Sequence, residues 1–180
     1  MKPPLTGAIK DDYQTPAYAL NPLYPYLRGD MVIWECACGA GNLVDALQSR
    51  GYEAYGTDVL TGQDFLTWEP DCWDVVITNP PFSLKHEFLK RAYSLGKPFA
   101  FLLPLTALDT GERQKLFRDH GIEIILFDKR VHFEIPSKNI KSKSWFSTAW
   151  FTWGLNIGKQ LTFAHYHDDE QLTILTKETQ

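Results

Sequence analysis

Apolar residues fall along this chain in short blocks, separated by polar and Gly- or Pro-containing turns, and two spacings alternate. "MVIWECA" (31–37), "EAYGTD" (53–58) and "WDVVITN" (73–79) read as strands, as do "PFAFLLPL" (98–105), "IEIILF" (122–127) and "SWFSTAWFTWG" (144–154). Between them the period lengthens. Leu43, Val44 and Leu47 share a helical face before a stop at Gly51, and Leu84, Phe88 and Leu89 share another in residues 84–96. Residues 111–121 form a third helix candidate, while the Pro- and Gly-rich first 30 residues predict irregular chain with a short helix at 16–20. Strand and helix in alternation predict an α/β fold, a mostly parallel sheet with helices on both faces. Such sheets bind ligands at the carboxyl ends of their strands, near the point where strand order reverses.

Composition narrows this picture. A chain of 180 residues, 44% hydrophobic and 22% charged, is suited to a single globular domain spanning 1–180. The 14% aromatic content is read first as core, including Trp145, Trp150 and Trp153. No run of about 18 apolar residues predicts a membrane span, and the first residues lack the apolar centre of a signal peptide. Cys36, Cys38 and Cys72 are odd in number and lack C-x-x-C spacing. They read as reduced, buried thiols of a cytoplasmic protein, not as a metal site. "AHYHDDE" (164–170) reads as a solvated turn. The net charge of −4 argues against strong nucleic-acid binding, yet residues 129–143 hold Lys129, Arg130, Lys138, Lys141 and Lys143 against Glu134 alone. That segment is either a phosphate-contacting loop or a solvated one.

Candidate chemistry lies where the predicted strands end. Gly39-Ala40-Gly41 follows the first strand; glycines permit a tight turn and a close backbone approach to a ligand. Val44 stands where a third glycine of G-x-G-x-x-G would be, which disfavours a pyrophosphate dinucleotide. Asp58 closes the second strand, where a carboxylate can accept bonds from two ribose hydroxyls. In "GQDFL" (62–66), Asp64 could accept the amino protons of an adenine while Phe65 packs on its ring; a turn acid beside a core Phe is the plainer reading. The third strand runs into Asn79-Pro80-Pro81-Phe82: an amide, two rigid imides and an aromatic ring.

"NPPF" after a buried strand, "ECACGAG" upstream, "GTD" and "GQDF" between them, and "DDYQTP" near the start resemble the amino-group DNA methyltransferases, N6-adenine type. The resemblance covers about residues 11–105 in this order of motifs. It implies a Rossmann-like methyltransferase fold, S-adenosylmethionine as cofactor and DNA as partner, its target adenine flipped out of the helix. Asn79, Pro80, Pro81 and Phe82 would be the catalytic corner, with Phe82 stacking on the base. Thr15, Pro16, Glu35, Gly39, Asp58, Asp64 and Phe65 match the family's cofactor contacts, and Tyr13 would cover the cofactor. The family usually carries a separate target-recognition domain, whereas few residues follow the last predicted core strand here. Recognition is then short and local, with 129–143 as its candidate, or sequence specificity is low. Two alternatives stay open: the same chemistry on RNA adenine or protein glutamine, against which "YQTP" counts, and a non-catalytic nucleic-acid- or cofactor-binding module.

Overall fold

The computed structural model describes residues 13–135, 140–141 and 146–164. Nine strands and three α-helices alternate along them: β1 (Val32–Glu35), α1 (Asn42–Ser49), β2 (Glu53–Gly56), β3 (Val75–Thr78), α2 (Lys85–Leu95), β4 (Phe99–Pro104), α3 (Gly111–His120), β5 (Glu123–Phe127), β6 (Glu134–Ile135), β7 (Ile140–Lys141), β8 (Thr148–Trp153) and β9 (Leu161–Ala164). Seven of the strands form one sheet in the order β2-β1-β3-β4-β8-β5-β9. All its neighbours are parallel except those of β8, which runs antiparallel to both β4 and β5. β6 and β7 pair antiparallel as a separate two-stranded ribbon within the basic segment.

Alternation within the strands divides the core between two faces. Ile33, Ile77, Leu102 and Trp150 pack on one face with Leu43 and Leu47 of α1 and with Leu20 and Leu23. The last two belong to the N-terminal segment, which carries the 3-10 turns Ala17–Leu20 and Tyr24–Tyr26 and adds Ala19, Leu20 and Leu23 to this core. Trp34, Val76, Phe101 and Phe151 pack on the other face with Phe88, Leu89 and Ala92 of α2 and Phe117 of α3. Helices therefore cover both faces of a mostly parallel sheet, and the chain is α/β as the alternation predicts. β4, "FAFLLP", is buried at every position, because a central strand under two helical layers has no wet side.

β8 enters the sheet antiparallel, a direction that a period-2 pattern, which encodes only a strand's faces, leaves open. Several expectations need correction. β9 was not anticipated: its Thr162 and Ala164 turn inward while Leu161 and Phe163 remain exposed, at the sheet edge. Of the cysteines only Cys36 is buried; Cys38 is half-buried and Cys72 exposed, all three as free thiols. Leu84 precedes α2 rather than sharing its buried face, and Val44 is half-buried. Trp150 is fully buried and Trp153 partly so; Trp145, most of "AHYHDDE" and part of 129–143 lie outside the described residues. Among the described residues, no helix is long and apolar enough to cross a membrane.

Candidate functional site

β1 has β2 on one side and β3 on the other, so strand order reverses there. At the carboxyl ends of these three strands lies a cleft of about 640 Å³. Tyr13, Thr15, Glu35, Gly39, Asp58, Asp64, Phe65, Asn79 and Pro81 all border it. Residues as distant in sequence as Tyr13 and Pro81 are thereby brought to one opening. Pro16, Pro80 and Phe82 do not border it: Pro16 accepts the Ala19 N–H at the start of a 3-10 turn, Pro80 is buried, and Phe82 joins an aromatic group beside the cleft.

The glycine turn forms one wall. Gly39 and Gly41 both have positive φ, +49° and +89°, which lets the chain double back between β1 and α1. Gly39 N–H donates to Asp58 Oδ2 at 3.0 Å, and Leu60 N–H donates to Asp58 Oδ1 at 2.9 Å. One carboxylate thus joins the turn after β1 to the turn after β2 and retains further lone pairs for a ligand. Gly56 explains how closely these turns approach: a Cβ there would lie 2.7 Å from Cys38 Cβ and 2.9 Å from its Sγ.

Glu35 ends β1 at 2% exposure and borders the cleft from below. Burial pushes its carboxyl up to about 8, and the Asp58 charge adds to the rise. The Ala37 N–H, 3.2 Å from Oε1, pulls the other way, as does the Thr78 hydroxyl, which lies near the carboxyl without hydrogen-bond geometry. At neutral pH this acid is largely protonated.

Beyond Asp58 the wall is apolar: Val59 and Leu60 border the cleft at 63% and 90% exposure. Phe65 is a core residue, 1% exposed and stacked on Phe88 with centroids 4.8 Å apart, so one face of its ring is already covered. Asp64 Oδ1 accepts the Leu66 N–H at 2.9 Å, holding its own turn.

The opposite wall is the Asn79 corner. Asn79 Nδ2 donates to the Tyr13 carbonyl at 3.2 Å; only the NH2 end can donate, so this bond orients the amide. Oδ1 is buried with no protein partner among the described residues, and so is Thr15 Oγ1. Buried acceptors and hydroxyls are normally satisfied, so two orphans bordering one cleft mark where a ligand's polar groups belong. Tyr13 stacks on Phe82 (5.9 Å, 26°), with Phe133 and Phe146 packed edge-on to both. Lys85 Nζ donates to the Phe82 carbonyl at 2.8 Å, tying the corner to the start of α2.

Sequence reasoning missed Gln14, Gly56, Val59 and Leu60. "DVLTG" does carry a signal, two apolar residues in a turn just after a strand-ending acid. Gln14 and Gly56 lie inside the motifs "DDYQTP" and "GTD", but their roles come from which chain segments meet.

No family model matches this sequence, and no curated protein does. Solved structures match its fold. A modification subunit assigned to a type I restriction enzyme of Vibrio vulnificus YJ016 is 14% identical, with a TM-score of 0.53 over 97% of this chain and 51% of that one, so the present chain spans about half its length. A protein from Pyrococcus horikoshii, assigned as an RNA methyltransferase, is 14% identical with a TM-score of 0.54 over 84% of this chain and 90% of that one. A Listeria monocytogenes protein assigned to the class I S-adenosylmethionine-dependent methyltransferases is 19% identical with a TM-score of 0.53 over 84% and 65%. The sheet order, the helices on both faces and these likenesses agree: this chain has the Rossmann-like fold of the class I S-adenosylmethionine-dependent methyltransferases.

Proposed function

We propose that this chain is an S-adenosylmethionine-dependent methyltransferase that methylates the N6 amino group of adenine in DNA. The observation that carries the reading is the buried, unpartnered Asn79 Oδ1 at the cleft, on an amide oriented by the Tyr13 carbonyl.

The cleft fits the cofactor. Its volume is in the range for a ligand of this size. Thr15 Oγ1 lacks a partner, Asp58 can take ribose hydroxyls, and Asp64 can take an exocyclic amine. Val59 and Leu60 offer apolar cover for a planar ring in place of the role first given to Phe65. Glu35 lies low in the cleft, where a cationic group would favour its ionised form. When bound, the cofactor supplies a methyl group on a positively charged sulfur.

The protein's part is to make a poor nucleophile better. The lone pair of an adenine amino group is delocalised into the ring. Asn79 Oδ1 and the Pro80 carbonyl would accept its two N–H protons, favouring a pyramidal nitrogen with its lone pair directed into the cleft. The two prolines hold the acceptors in place beforehand, so little reorganisation is needed. No proton need leave before transfer, because the methylated amine is acidic enough to lose it afterwards. Phe82, whose ring already has Tyr13 on one face with Phe133 and Phe146 packed beside it, would meet the flipped base with its other face. Residues 129–143, with exposed Lys129 and Arg130 and the β6–β7 ribbon, would contact DNA phosphates through few charges, giving weak and salt-dependent binding.

The test is transfer from radiolabelled cofactor to unmethylated DNA, with RNA and release factors as comparators. Label in DNA recovered as N6-methyladenine supports the reading. Label only in RNA, the substrate class of the Pyrococcus neighbour's assignment, or only in protein overturns it.

A further inference from the structure

Gln14 borders the cleft between the glycine turn and the Asn79 corner, and the proposed chemistry gives it no role of its own. Ala40 N–H, in the glycine turn, donates to Gln14 Oε1 at 3.2 Å. One residue earlier, the Tyr13 carbonyl receives Asn79 Nδ2, also at 3.2 Å. One residue later, Thr15 borders the cleft, its hydroxyl without a partner among the described residues. Three consecutive residues therefore cross the opening as a strap, bonded at one side to the glycine turn and at the other to the Asn79 corner. The fit at Gly39 reflects the same closeness: a Cβ there would lie 2.8 Å from Gln14 Nε2.

We propose that Gln14 is a positioning residue for methyl transfer: its bond to Ala40 holds the strap so that the Tyr13 carbonyl engages Nδ2 of the Asn79 amide and leaves Oδ1 as the end that can accept from an amine. A primary amide is nearly symmetric in shape, and rotating it by half a turn exchanges Oδ1 with Nδ2. The rotated form would present two donors to a substrate that itself brings two donors, so it cannot receive an amine. Among the described residues the Tyr13 carbonyl is the one partner of Asn79 Nδ2. A displacement of the strap therefore removes the bias between the two rotamers. This inference rests on Asn79 being the residue that receives the target amine.

The experiment compares Gln14→Ala with Gln14→Glu, which keeps an acceptor for the Ala40 N–H. The first readout is the Asn79 side-chain amide by 15N NMR in the chain without substrate, so it does not depend on which substrate is correct. The expected result is a slowly exchanging Nδ2 proton in the wild type, lost in Gln14→Ala and retained in Gln14→Glu. The second readout is turnover: kcat falls about five- to tenfold in Gln14→Ala, the worth of one neutral hydrogen bond, and returns to within about twofold in Gln14→Glu. An unchanged Asn79 signal in folded Gln14→Ala overturns the proposal, as does a kcat loss that Gln14→Glu shares. If wild-type protein leaves DNA unlabelled while the NMR result holds, the substrate assignment fails and the positioning role stands.

Discussion

Replacing Glu35 by Gln should change how stability depends on pH, and the sign follows from the structure. An unfolded Glu ionises near 4.5, whereas burial under the cleft raises Glu35 to about 8 in the folded chain. Between those values the folded protein holds a proton that the unfolded chain releases, so stability decreases as pH rises through this window and levels off above it. Each pH unit costs about 1.4 kcal/mol, which at pH 7 accumulates to about 3 kcal/mol, a sizeable part of a typical domain's stability. Gln keeps the shape and the acceptor for the Ala37 N–H but cannot ionise. Urea denaturation of both proteins at about pH 5 and about pH 8 reads the effect. The wild type should lose about 3 kcal/mol relative to Glu35→Gln between the two. Parallel stability curves would refute the claim that this carboxyl is buried and neutral. Cofactor affinity gives a second view: if ligand binding ionises Glu35, wild-type affinity rises with pH below about 8, whereas the variant's changes little.

Two further perturbations separate packing from binding. Gly56→Ala places a methyl group against Cys38 and should destabilise the chain by about 1–3 kcal/mol, measured by thermal or chemical denaturation; an unchanged midpoint would mean the turns after β1 and β2 are not tightly apposed. Leu60→Ser alters a residue 90% exposed and should leave the melting temperature unchanged, yet raise the cofactor Kd about fivefold by calorimetry through lost apolar contact; equal affinity would remove Leu60 from the ligand's surroundings.

Much of the sheet was legible because buried strands advertise themselves. "FAFLLP" and "VVIT" are apolar or small at every position since both faces are covered, and α2 repeats its buried residues as Phe88, Leu89, Ala92 and Tyr93. β9 escaped notice because an edge strand exposing Leu161 and Phe163 looks like loop. The direction of β8 is a matter of connection, which hydrophobic spacing does not record. The site divides the same way. Gly39, Asp58 and Asn79 stand at strand ends, where a ligand site is expected from topology, and all three border the cleft. Phe65 was ambiguous because an aromatic ring serves a core and a ligand equally well, and its stacking on Phe88 places it in the core. Gln14 and Gly56 stood inside quoted motifs, but their roles were illegible because each matters through a neighbour distant in sequence: Ala40 for one, Cys38 for the other.

The most direct measurement is turnover and cofactor affinity determined together for Asn79→Ala. The account predicts that methyl transfer to adenine falls by two to three orders of magnitude, roughly what removing a preorganised transition-state partner costs. Cofactor Kd should stay within several-fold, because the wall formed by Glu35, Asp58 and the glycine turn remains. Undiminished turnover in a variant that still binds cofactor would contradict the account and move the chemistry elsewhere.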